Sequence, residues 1–185
     1  HVAQPLAVLK PPHVGYVAEF LGGMEPILRL REAAIKEGIS GHIRTGSLRR
    51  RLRLLAHAGE ALAGLHAIGV AYGDVSDRNV FVSEPVHATE AWLIDLDNLT
   101  HAADPERAIY TPGFGAPEIV AGRSGSTSLS DAFSFAVLVW QVLTLGHPFL
   151  GDSVNEGDPE LEQQAFAGAL PWVDHSKDDR NRCAT

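Results

Sequence analysis

The spacing of apolar positions changes along this chain. Residues 2–9 and 14–20 are short apolar runs separated by Lys10-Pro11-Pro12-His13, a pattern of two strands and a turn, and Gly22-Gly23 closes the second run. Over 24–37 the spacing predicts a helix, with Ile27, Leu28, Leu30 and Ile35 as its apolar positions. Residues 38–46 read as a connector. A longer helix follows: Ser47 can cap it, Leu48, Leu52, Leu55, Leu62 and Leu65 recur at helical intervals, and Gly69 can end it. Strands are expected at 80–82 and 91–94. The stretch 97–117 is aperiodic and long for a loop in a compact domain, as functional or disordered loops are. Ser130-Asp131 opens a strongly apolar helix over 132–145 that Gly146 and Pro148 stop. Residues 152–162 carry five acidic residues and no basic one, an expected exposed face, and 163–170 fits a last short helix. Strands come first and helices dominate afterwards, so the expected fold class is α+β with a mostly helical body.

Composition narrows the function classes. With 185 residues and 45 % hydrophobic content the chain can bury one sizeable core. A net charge of −8 argues against nucleic acid or an anionic membrane as a partner. The run Arg49-Arg50-Arg51 with Arg53 goes the other way and reads as a solvated helix face. Cys183 is the only cysteine, so no intrachain disulfide can form and a cytoplasmic setting is expected. No signal peptide is visible, and residues 132–145 are too few to span a bilayer. The first residue is His1 and the last stretch is polar, so the chain is expected to be a piece of a longer polypeptide.

Three segments carry chemistry: Gly73-Asp74 with Asn79 five residues after the Asp, then Ile94-Asp95-Leu96-Asp97, then Thr111-Pro112-Gly113-Phe114-Gly115-Ala116-Pro117-Glu118. Taken singly, Asp74 and Asn79 are ordinary turn residues and Asp95 an ordinary strand-end carboxylate. Taken in order, they supply a carboxylate to orient a hydroxyl and oxygen ligands for a divalent cation, which phosphoryl transfer requires. A hairpin of the strands at 80–82 and 91–94 would bring Asn79 near Asp95. The nine histidines lack metal-ligand spacing, and neither G-x-x-x-x-G-K-[ST] nor G-x-S-x-G occurs.

Residues 72–79, Tyr-Gly-Asp-Val-Ser-Asp-Arg-Asn, resemble the catalytic loop H-R-D-L-x-x-x-N of the protein kinase family. Asp95-Leu96-Asp97 is similar to D-F-G, Ala116-Pro117-Glu118 is an intact A-P-E, and Asp131 with Phe133 and Ser134 resembles D-x-W-S-x-G, whose Asp holds the catalytic-loop backbone in that family. Residues 14–23 resemble the last N-lobe strand and hinge, with Glu19, Phe20 and Leu21 where adenine would bond to backbone. The resemblance spans roughly 14–150 and implies a kinase-like fold, with 1–23 a remnant of the N-lobe and hinge and 24–185 a C-lobe incomplete at its end. It implies ATP and Mg²⁺ as cofactors and a protein substrate. It also implies Asp74 as the base, Asn79 and Asp95 as metal ligands, and Thr111 in contact with Asp74, the mark of a Ser/Thr acceptor.

The departures matter as much. Gly73 replaces the Arg that would grip a phosphorylated activation loop, so activity is expected not to depend on phosphorylation at Thr100, Tyr110 or Thr111. Ser76 stands where a phosphate-contacting Lys is usual, with Arg78 able to compensate. Asp97 replaces the D-F-G glycine. No G-x-G-x-x-G loop or V-A-I-K lysine is found, and the lysines Lys10, Lys36 and Lys177 are not placed to serve. Glu118 has only Arg180 and Arg182 as late ion-pair candidates, neither well placed. Two other readings stay open. Aminoglycoside- or choline-type kinases also carry G-D-x-x-x-x-N and I-D-x-D segments, but lack the A-P-E segment. A non-catalytic pseudokinase or docking module would keep the fold without the nucleotide lobe. The regulatory partner is unknown.

Overall fold

The computed structural model describes residues 2–101, 103–104, 108–155 and 158–183. Strands β1 (Pro5–Val8) and β2 (Tyr16–Ala18) form an antiparallel hairpin whose Leu6, Val8 and Val17 are exposed. A second antiparallel sheet has the order β3 (Met24–Pro26), β4 (Val80–Ser83), β5 (Ala91–Leu93), with Phe81 opposite both Pro26 and Trp92. The expected helix over 24–37 is therefore two elements. Its first residues pair with β4, and only after the Ile27 N–H donates to the Val80 carbonyl (2.8 Å) does α1 (Leu28–Glu37) begin. Helical spacing from Ile27 onward masked a strand too short to have a period of its own.

The expected connector at 38–46 contains a helix, α2 (Ile39–Arg44). Gly38, at φ +62°, turns the chain between α1 and α2, and the two helices pack on each other. Packing rather than propensity sustains so short a helix.

Helix α3 (Ser47–Ala67) forms as expected, with its buried stripe rotated from the predicted one. Leu54, Leu55, Ala58, Ala61 and Leu62 are buried, whereas Leu48 and Leu52 are half exposed (51 % and 50 %). Ser47 is not its cap; it is the first helical residue, at φ +57°, and no side chain caps this end. Gly69 follows the helix at φ +76°. The arginine run is corrected too. Arg51 is fully buried and donates to the Leu30 carbonyl (2.9 Å) and Thr45 Oγ1 (3.0 Å). Arg50 is buried and donates to the carbonyls of Thr45 (3.0 Å), Ala88 (3.2 Å) and Ser83. Two guanidiniums thus tie α3 to the preceding turn and to β4, leaving only Arg49 and Arg53 on the solvated face.

Beyond β5, a 3-10 turn (Leu96–Asn98) leads to Thr100, whose backbone pairs with Ala71 in both directions (2.8 and 3.0 Å). Part of the expected long loop, residues 102 and 105–107, lies outside the described residues. Helix α4 (Pro117–Val120) is followed by α5 (Ser128–Thr144), which Thr127 and Ser130 cap reciprocally, two residues ahead of the expected start. The acidic stretch forms α6 (Asp152–Asn155), where Val154 is buried and breaks the exposed face, and α7 (Pro159–Phe166). The last helix starts earlier than the expected 163–170 because Asp158 caps it and Pro159 suits its first turn. The core unites Leu54 and Leu62 of α3, Val80 and Val82 of β4, Leu93 of β5, Tyr72 and Val75 between α3 and β4, and Val137, Leu138 and Val142 of α5. Burial of these side chains on both sides of residues 72–79 makes that loop a rigid part of the interior.

Candidate active site

The loop between α3 and β4 is anchored from below. Asp131 of α5, 2 % exposed, accepts the backbone N–H groups of Tyr72 (2.6 Å) and Gly73 (2.9 Å), and its Oδ2 also meets His66 Nε2 of α3 (2.9 Å). A buried carboxylate needs such donors to offset its lost hydration. Tyr72, itself fully buried, donates its hydroxyl to the Ile94 carbonyl, and burial pushes its phenol well above the usual range. Together these bonds fix the chain on both sides of Asp74.

Asp74 is held by three donors. Asn79 Nδ2 bonds to Oδ2 (2.8 Å) and to the Asp74 carbonyl (3.1 Å), while the Thr111 N–H and hydroxyl both reach Oδ1 (2.8 Å each). Asn79 sits at the mouth of the β4–β5 hairpin, where its carbonyl accepts the Ile94 N–H (3.0 Å), so the hairpin places Asn79 across from the residue before Asp95. Asp95 is exposed and left-handed (φ +56°), a conformation that Asp tolerates better than most residues. With its side-chain Nδ2 donating to Asp74 and its backbone carbonyl accepting from Ile94, Asn79 keeps its side-chain Oδ1 for a cation. One amide oxygen and one carboxylate fit Mg²⁺, which takes few protein ligands beside water and phosphate. Among the described residues no cluster of three or more His, Cys, Asp or Glu could hold a metal.

A cavity of about 310 Å³ adjoins Asp95, lined by Tyr16, Ala18, Glu19, Leu21, Met24, Phe81 and Ile94 among others. It is largely apolar, as a site for a flat heterocycle would be. A second cleft, of about 720 Å³, runs past Arg78, Thr111, Gly113, His147 and Phe166. Thr111, bonded to Asp74, borders the larger cleft, and Asp95 borders the smaller cavity.

The sequence profile of the protein kinase domain matches residues 27–181. The chain belongs to the protein kinase family. It is 32 % identical over 131 residues to the serine/threonine-protein kinase pkn2 of Myxococcus xanthus, a match covering 66 % of this chain and 15 % of that protein. It is 34 % identical over 106 residues to ribosomal protein S6 kinase alpha-3 of Homo sapiens, covering 55 % of this chain and 14 % of the relative. The chain spans about a seventh of the length of these curated relatives.

Within the kinase frame, the residues singled out from the sequence separate. Asp74, Asn79 and Thr111 are bonded together, with Asp95 beside them, and Glu19 and Leu21 share the cavity with Asp95. Ser76 does not join them: it is fully buried, and its hydroxyl faces the interior without a hydrogen-bond partner, so it is not presented to a phosphate. Arg78 is exposed and lines the cleft beside Thr111 rather than the cavity beside Asp95. Glu118 lies in the first turn of α4, while Arg180 pairs with Asp178 (2.7 Å) and Arg182 is exposed. Phe81 and Met24, which also line the cavity beside Asp95, belong to no motif. Phe81 alternates with the buried Val80 and Val82, so its apolar side chain on the opposite face was the available signal. No described helix is long and apolar enough to cross a membrane.

Proposed function

We propose that this chain forms the acceptor-side half of the active site of an ATP-dependent kinase that phosphorylates Ser or Thr hydroxyls of a protein, with residues 1–23 serving as the hinge and the edge of the nucleotide lobe. The observation that carries the reading is the pair of hydrogen bonds that Thr111 donates to Asp74 Oδ1, which ties the segment before Ala116-Pro117-Glu118 to the carboxylate. A kinase acting on small molecules has no need of such a segment beside its base.

Asp74 Oδ2 and Oδ1 are oriented by Asn79 and Thr111, so the carboxylate can accept a hydrogen bond from an incoming hydroxyl and take its proton as the oxygen attacks phosphorus. Asn79 and Asp95 would hold Mg²⁺, which neutralises phosphate charge when bound with ATP. The cavity with Glu19 and Leu21 would seat the base of the nucleotide. The exposed Cys183 thiol and the absence of any second cysteine suit the reducing cytoplasm.

The test is phosphate transfer from labelled ATP by the full-length protein to a protein mixture. Asp74→Asn and Asp95→Asn should each lower the rate by about two to four orders of magnitude. Transfer that survives both substitutions, or that goes to amino alcohols or aminoglycosides and never to protein, overturns the proposal.

A further inference from the structure

His147 lies between α5 and α6 and uses both ring nitrogens. Its Nε2 meets the Gly113 carbonyl at 2.7 Å, and its Nδ1 lies 3.1 Å from the Phe149 N–H. A backbone N–H can only donate and a carbonyl can only accept. The ring is therefore neutral, with its proton on Nε2, because no other state satisfies both contacts. The ring also stands edge-on to Phe166 of α7 (centroids 5.2 Å apart) and tilted against Phe149 (5.9 Å).

Gly113 is two residues after Thr111 and holds φ +86°, a conformation that leaves its carbonyl free to turn towards His147. The segment 111–114 is thus held at two points, Thr111 on Asp74 and Gly113 on His147. Both points border the 720 Å³ cleft. Charged groups from three elements face the same space: Arg31 of α1, Asp77 and Arg78 of the loop before β4, and Glu162 of α7. Arg31 is 3.8 Å from Asp77 and also bonds to Gln141, so it is already partnered.

We propose that His147 is a positioning residue for the acceptor: its neutral ring bridges the Gly113 carbonyl and the Phe149 N–H and so fixes the surface on which a protein substrate lies, and protonation at Nδ1 breaks the Phe149 side of that bridge. The inference rests on the protein-kinase reading above. A proton added at Nδ1 would face the Phe149 N–H, two donors with no acceptor between them, and that contact would be lost. Burial lowers the affinity of this ring for a proton, the bond to Gly113 partly opposes it, and the nearby Arg31 charge adds a smaller lowering. The two-sided bridge is therefore intact at neutral pH, and as pH falls below the ordinary histidine value near 6.5 it keeps the Gly113 bond and loses the Phe149 one.

Two measurements on the full-length protein test this. Ring nitrogen chemical shifts by NMR need no activity, and they should report the neutral Nε2–H form of His147 at pH 7. A proton on Nδ1, or a charged ring at that pH, overturns the bridge. In steady-state kinetics, His147→Leu should raise the KM for the protein substrate by about five- to tenfold while leaving the KM for ATP unchanged. His147→Gln, which keeps a donor for Gly113, should restore most of the difference and lose the rise in KM below pH 6.5 that the wild type shows. Equal effects on both KM values, no effect, or an acid limb that persists in His147→Gln and so belongs to Asp77 or Glu162, overturn it. If the wild type transfers nothing to protein, the function proposed above fails, and the NMR result still decides the bridge.

Discussion

Thr111 binds Asp74 Oδ1 twice, through its backbone N–H and through its hydroxyl, each at 2.8 Å. Residues 37 positions apart are thereby locked at one oxygen, while Asn79 holds the other. A carboxylate so held does not need to reorganise when a substrate hydroxyl arrives, which is where positioning contributes to catalysis.

The two bonds can be separated by substitution. Thr111→Ser keeps both and should retain most of the activity. Thr111→Val keeps only the N–H bond and should lower kcat by about ten- to a hundredfold, since a hydrogen bond to a charged group contributes about 1.5–3 kcal/mol. Equal rates for the two variants would show that the hydroxyl plays no part in orienting Asp74.

Asp131 should be critical for stability. It is 2 % exposed and satisfies two backbone amides and His66. Asp131→Ala leaves those donors without an acceptor in the interior and should destabilise the fold by about 3–5 kcal/mol. Urea denaturation monitored by circular dichroism measures this, and an unchanged midpoint would contradict the assignment.

Gly73 cannot be restored to the arginine usual in the family without cost. Its φ is +90°, and a Cβ there would lie 2.8 Å from the Asn98 carbonyl oxygen. Gly73→Arg should lower stability by about 1–3 kcal/mol, measurable as a drop in melting temperature. Phosphatase treatment of the wild-type protein should leave its rate unchanged, because no arginine at 73 waits for a phosphate; a large loss would reverse that conclusion.

The arginine run offers a contrast within one helix. Arg51 is fully buried among carbonyls, and Arg51→Met removes donors to Leu30 and Thr45 and should destabilise by about 2–4 kcal/mol. Arg49 and Arg53 are exposed, and replacing either with Ala should change stability little. Similar midpoints for all three variants would refute the burial of Arg51.

Much of this was legible in one dimension. Asp74, Asn79 and Asp95 supply the carboxylate and cation ligands that phosphoryl transfer uses, and Thr111, Glu118 and Asp131 complete the resemblance to the protein kinase family. Helix α3, the hairpin of β4 and β5 and the apolar α5 followed from periodicity, since each is long enough or regular enough to show its period. Elements β3 and α2 did not: Met24-Glu25-Pro26 offers no apolar run, unlike Ala91-Trp92-Leu93, and a helical turn or so is sustained by neighbours rather than by its own pattern.

Tertiary structure decided which of the polar residues meet. Nothing local distinguishes Arg50 and Arg51 from Arg49 and Arg53; only the approach of Leu30, Thr45 and Ser83 makes two of them interior. Ser76 occupies the place of a phosphate-contacting Lys, with Arg78 able to compensate; Ser76 turns inward and Arg78 lines the 720 Å³ cleft. His147 carried no motif, and its two bonds exist because α5 ends beside the loop that carries Gly113. Sequence by itself determined the chemistry available to this protein, through residue types in the order of the family's motifs. The burial and direction of each side chain came from long-range packing, which no local pattern encodes.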